Sequence, residues 1–298
     1  MQVRHGSGAS VPPSAREGTH RRRFALFGSS PGAYNKRAIM RDPHVASLRY
    51  RFVAGETVSF DCPPPVERET EAFRMRLEDG VATFEMLEHH ASEDTARECV
   101  EGYLRAWEIH VALRFGRGEM HFEFAGADVI DRDPPPPGTG QVVYAKALMG
   151  AVGLMDNVTV HVTRRRYPEP PSGFIASPDV ETMWGRYEGY LKGREPLAAM
   201  AYACLTLLEA SARGRESAAK QYRISLDVLR KLAHLATEIG DEGTARKFSR
   251  LRERRPHTGP ERAWVEAVVK ALIQRAGEWA LAPAASRPQI TMSDLPKL

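Results

Sequence analysis

The chain has 298 residues, 42% of them hydrophobic, enough for about two domains of ordinary size, each with its own core. No stretch approaches the roughly 18 uninterrupted apolar residues of a membrane span, and the longest candidate, Leu197 to Leu208, has the length of a buried helix, so no membrane contact is expected. The net charge of +4 is uneven: residues 1–41 hold eight Lys or Arg against one acid, Glu17, a local +7 that leaves about −3 for the remainder, so the overall charge does not by itself assign a nucleic-acid partner.

Residues 1–36 are rich in Gly, Ser, Pro and Arg, with only Phe24 to Phe27 to bury, and read with the next few residues as a disordered basic tail over 1–40. They lack the apolar core of a secretory signal. Met40 stands just before the first strand, so an over-extended reading frame is the alternative to a tail. The cysteines Cys62, Cys99 and Cys204 form neither a CxxC pair nor a disulfide framework, which fits a reducing cytoplasm.

From Leu48 the apolar period is 2, the signature of a strand with one buried face. Leu48, Tyr50 and Phe52 alternate with Arg49 and Arg51, and Phe73, Met75 and Leu77 with Arg74 and Arg76. Asp79-Gly80 then predicts a tight turn into a partner strand over Val81 to Leu87. Met120, Phe122 and Phe124 predict another strand, and Val158, Val160 and Val162 a last one. Between them Ser92 caps a helix over Glu93 to Leu113 whose stripe of Ala96, Cys99, Val100, Tyr103, Leu104, Trp107 and Val111 should cover the sheet. The tetraproline run after Asp133 is a rigid break, and residues 141–152 are ambiguous between helix and strand.

After Pro178 the period becomes 3.6. Helices are predicted near 179–192, from Pro196 through the apolar Leu197 to Leu208, from Ser225 to a Gly240 stop, briefly around Ala245, Phe248 and Leu251, and from Pro260 through Trp264, Val268, Val269, Leu272, Ile273 and Ala276. The expected fold is therefore α+β: an N-terminal antiparallel sheet with a covering helix (41–166), a linker (167–178), a C-terminal antiparallel helical bundle (179–282) and an extended tail (283–298).

Chemistry is harder to place. There is no glycine-rich phosphate loop, nucleophile elbow or zinc-spaced Cys/His set, and no cofactor or metal is implied. His89 and His90 would need His121, Glu119 or Glu123 beside them to hold a cation. Trp184, Tyr187 and Tyr190 recur at helical spacing, which argues for core over base stacking. The sharpest feature is the run Arg246, Lys247, Arg250, Arg252, Arg254 and Arg255, six bases with the single acid Glu253, suited to phosphate contact.

With its long helix after Arg194-Glu-Pro and its final helix opening Pro260-Glu-Arg-Ala-Trp, the chain over roughly 180–280 resembles the HEPN-like helical domains, including those of abortive-infection proteins. The resemblance implies a homodimer and RNA contact. In nuclease members it implies an Arg and a His with four to six residues between them, a spacing that Arg252 and His257, with four between, match. Pro256 and Pro260 put this pair in a loop and not on a helix face, which departs from the family pattern. The resulting expectation is an interaction or sensing protein that contacts RNA without established catalysis. The alternatives are a metal-independent ribonuclease using Arg252 and His257, and a small-molecule-binding protein.

Overall fold

Asp79 and Gly80 both have positive φ, 50° and 75°, and Glu78 pairs with Val81 across them, so the hairpin closes through a two-residue turn whose twist suits antiparallel strands. Its strands, β4 (Phe73–Glu78) and β5 (Val81–Met86), belong to a five-stranded antiparallel sheet that also contains β1 (Pro43–Ala54), β3 (Val66–Glu69) and β6 (Met120–Asp131). The order is β3-β4-β5-β1-β6, which makes the first described strand in the chain an interior one. The computed structural model describes residues 40–116, 118–133, 162–240 and 253–298. The basic tail, the tetraproline run, residues 141–152, Val158 and Val160, and the short helix expected around Phe248 lie outside them.

Alternation fixes the two faces of the sheet. Leu48, Tyr50, Met75, Leu77, Ala82 and Phe84 point to one side and are buried. Helix α1 (Glu93–Phe115), with Ser92 as its N-cap, covers them through Ala96, Val100, Leu104, Trp107 and Val111. The other side carries the interleaved charges in ion pairs: across strands Arg74 with Glu69 and Glu85, Arg76 with Glu67, Arg49 with Asp128, and Arg51 with Glu123, and along β4 Arg76 with Glu78. The expected antiparallel sheet with a covering helix is what forms. The strand at Met120 is longer than its sequence period suggested and pairs with β1 through two register irregularities. The last predicted strand survives in the described residues as β7 (Val162–Arg164), which pairs in parallel with β2 (Val58–Phe60) outside the main sheet.

Helix α1 has a second apolar face. Ala106, Ile109, Ala112 and Leu113 point away from the sheet into the core of the helical half. There α2 (Pro178–Leu191), α3 (Leu197–Ser211), α5 (Leu226–Glu238) and α6 (Gly259–Leu281) pack together, with the apolar α3 against the other three. Trp184 and Tyr187 of α2 are buried, as helical spacing implied. A short helix, α4 (Arg215–Gln221), has no counterpart in the predicted elements because only Ala218 and Ala219 mark its buried side.

Two connecting stretches are tied down. Phe174, in the segment read as a linker, is 3% exposed within the helical core, and the Ile175 N–H donates to the Gly277 carbonyl. The C-terminal tail is mostly extended and runs back over the end of α6. Arg287 donates to the carbonyls of Glu278 and Ala282, two of the last acceptors of that helix, and Ile290 exchanges backbone hydrogen bonds with Arg223 and Ser225.

Candidate nucleic-acid interface

Four of the sequence-predicted contact residues, Arg246, Lys247, Arg250 and Arg252, lie outside the described residues. The structure does fix the two ends of their segment. Ile239 and Gly240, which form β8 directly after α5, pair with Glu253 and Arg254, which form β9. The described residues on either side of the basic run therefore lie together, beside the C-terminal end of α5.

The other three predicted residues sit in or just after β9. Arg254 is exposed. Arg255 is held by Glu261 through two nitrogens, at 2.7 and 2.8 Å, and by Glu253 at 2.9 Å, and these carboxylates push its pKa further up. Glu261 is lowered to about 2, first by the Arg255 hydrogen bond and then by the donors of Thr258. Thr258 and Glu261 form the capping box of α6, so the Arg255 guanidinium is built into a helix start.

His257 is 8% exposed, in the loop before α6, with Nε2 3.0 Å from the Leu235 carbonyl oxygen. Leu235 lies in the last turn of α5, where carbonyls have no partner within the helix. The ring N–H satisfies one of them.

Sequence reasoning predicted α5 from its Ser225 cap but missed α4, and it assigned no contact residue to either. Helix α4 stops at Tyr222 with Arg223 in the left-handed region, φ 54°, while the Ile224 N–H reaches back to the Ala219 carbonyl at 3.1 Å. Ser225 then caps α5, accepting from the Val228 N–H at 3.3 Å. Helix α3 ends in the same way, with Arg213 at φ 62° and the Gly214 N–H bonded to the Glu209 carbonyl at 2.7 Å. On α5, Val228, Leu229, Leu232 and Leu235 are fully buried, whereas Asp227 and Arg230 are exposed and Lys231 and His234 half-buried. The readable signal was the Ser225 cap followed by apolar 3–4 spacing, which puts Asp227, Arg230, Lys231 and His234 on the opposite stripe. His234 Nδ1 lies 3.2 Å from Glu238. Among the described residues neither Arg230 nor Lys231 forms an ion pair, in contrast to the arginines across the open sheet face.

The histidines do not gather with the acids that would make a cation site. His89 and His90 lie against His44, which pairs with Ile130, whereas His121 and Glu123 pair with Val53 and Arg51 at the other end of β1. Among the described residues no three His, Cys, Asp or Glu side chains are placed to hold a metal ion. No protein-family model matches the chain, and comparison with curated proteins and with solved structures gives no significant similarity.

Proposed function

We propose that this is a non-catalytic interaction protein whose helical half contacts nucleic acid through phosphates. The observation that carries the reading is the placement of cations. Arg230 and Lys231 stand on the outer stripe of α5 without ion pairs among the described residues, and the chain that follows α5 supplies Arg246, Lys247, Arg250 and Arg252 between two paired ends. The sheet, by contrast, spends its arginines on carboxylates of adjacent strands.

The ribonuclease alternative, which the HEPN-like resemblance implies, requires Arg252 and His257 to meet at one phosphate, with the imidazole moving a proton of the 2′-oxygen. The buried ring of His257 and its bond to Leu235 favour binding without cleavage. The homodimer implied by the same resemblance remains part of the proposal, and light scattering of the purified chain tests it.

The deciding experiment measures binding of labelled RNA and duplex DNA over a series of salt concentrations. Replacing Arg246, Lys247, Arg250 and Arg252 with Gln should weaken binding to every sequence and flatten the salt dependence, by roughly 0.7 to 0.9 of the logarithmic slope for each phosphate that is no longer neutralised. No binding by the unaltered protein at about 150 mM salt would end this reading.

A further inference from the structure

Resting on that nucleic-acid reading, we propose that α4, the turn over 222–225 and α5 form a helix–turn–helix unit that lays the outer stripe of α5 in the major groove of duplex DNA. Such a unit requires a short rigid turn, a third helix that fixes the angle of the pair, and a polar outer face on the second helix.

The turn has only four residues and is fixed on every side. Arg223 takes the left-handed conformation, Ile224 is fully buried, and Ser225 caps the next helix. The tail clamps the turn, with Ser225 donating to the Ile290 carbonyl at 2.8 Å and Ile290 donating to the Arg223 carbonyl at 2.9 Å. The third helix is α3, which packs on both α4 and α5. Ala218, Tyr222, Val228, Leu229 and Leu232 supply the pair's share of that core, none more than 4% exposed.

The outer face is polar, and its chemistry suits base edges. Arg230 lies in the second turn of α5 with its guanidinium free to present two parallel donors to guanine O6 and N7, and Lys231 is next to it. Asp227, in the first turn, offers a carboxylate that matches a cytosine amino group. Lys220 on α4 and Arg213 on the α3–α4 turn are exposed cations of the same unit, suited to phosphates. The acids of the same elements are Asp227 itself, exposed Glu216, Glu209, which is paired with Arg215, and Glu238, which is paired with His234. A helix fits the wide major groove of B-form DNA, whereas the major groove of A-form RNA is too narrow to admit one, so the geometry favours DNA.

The test uses the full chain and a pool of duplexes of about 30 base pairs with a randomised centre, alongside single-stranded and double-stranded RNA of equal length. Arg230→Gln combined with Lys231→Gln leaves the buried side of α5 intact and should weaken duplex binding roughly tenfold or more. Methylation of guanine N7, a major-groove atom, should weaken binding by the unaltered protein. If the double variant melts early, Arg230→Lys takes its place; it keeps the charge and should change the sequences that are selected. Duplex affinity that survives the α5 changes but falls when Arg246, Lys247, Arg250 and Arg252 are replaced would overturn this inference and leave the nucleic-acid reading standing. Preference for RNA, or binding indifferent to N7 methylation, would also overturn it. Failure to bind any probe would remove both.

Discussion

A β-carbon on Gly277 would stand 2.3 Å from two ring carbons of Phe174 and 2.9 Å from the Ile175 carbonyl oxygen, so helix α6 has a glycine where the linker crosses it. The crossing is in register as well as in contact, since the Ile175 N–H donates to the Gly277 carbonyl at 3.4 Å. Gly277→Ala should therefore displace the linker and cost about 1–3 kcal/mol, even though alanine is the better helix former. A thermal melt of the full chain reads this as a lower Tm, whereas a rise in Tm would mean the linker does not press on α6.

His257→Ala should lower stability by about 1–3 kcal/mol, because it removes the donor that satisfies the buried Leu235 carbonyl. At a temperature where the variant is folded, its affinity for nucleic acid should match that of the unaltered chain. Denaturant titration gives the first quantity and anisotropy the second. Weakened affinity with unchanged stability would return His257 to the candidate interface.

His44 and Glu261 act on the acid side of the stability curve in separate windows. His44 is buried, and its pKa is lowered by that burial first and then by Arg132, His89 and His90, with Asp42 opposing; its Nδ1 also accepts from the His90 N–H, which only the neutral ring can do. The unfolded chain takes that proton more readily, so the stability it contributes is full above 6.5 and is lost as the pH falls below it. Glu261 is lowered from 4.5 to about 2, so its contribution is present above 4.5 and disappears between those two values. His44→Asn should lessen the first loss, which the half-buried ring of His110 shares, and Glu261→Gln should lessen the second, each leaving the other in place, as measured by urea unfolding across pH.

Ile109 points from α1 into the helical core, on the side opposite Trp107. Ile109→Ala should cost about 2–5 kcal/mol and lower the Tm of the whole chain. Because α1 is the common wall, tryptophan fluorescence, which reports on Trp107 on the sheet side and Trp184, Trp264 and Trp279 on the helical side, should still show one transition. Two separated transitions would mean that the halves melt independently.

Much of this architecture was legible in the sequence, because period and caps are local signals. Ser92, Ser225 and the Asp79-Gly80 turn each act where their residues stand, and the helix starts and the hairpin follow from them. The second face of α1 was harder to see. Ala106, Ile109 and Ala112 are apolar, yet a helix assigned to one sheet leaves them without a partner until the second core is known. Helix α4 is short and alanine-marked, and the docking of Phe174 and Ile290 depends on surfaces remote in sequence. The candidate interface was half legible. Clustered arginines are visible in any reading, but a sequence does not show which of them are neutralised. Arg255 is bound by two carboxylates, whereas Arg230, inconspicuous in the sequence, has none among the described residues.

The order of the sheet has a consequence for synthesis. β1 is made first yet lies between β5 and β6, and β6 emerges only after the whole of α1. While the chain is growing, β1 can join β5 on one side but must wait with its other edge unpaired, and α1 is available to cover the apolar face before that edge is closed. A nascent chain stalled between α1 and β6 would therefore present a long open strand edge beside an apolar face that α1 already covers, an edge through which growing chains would self-associate.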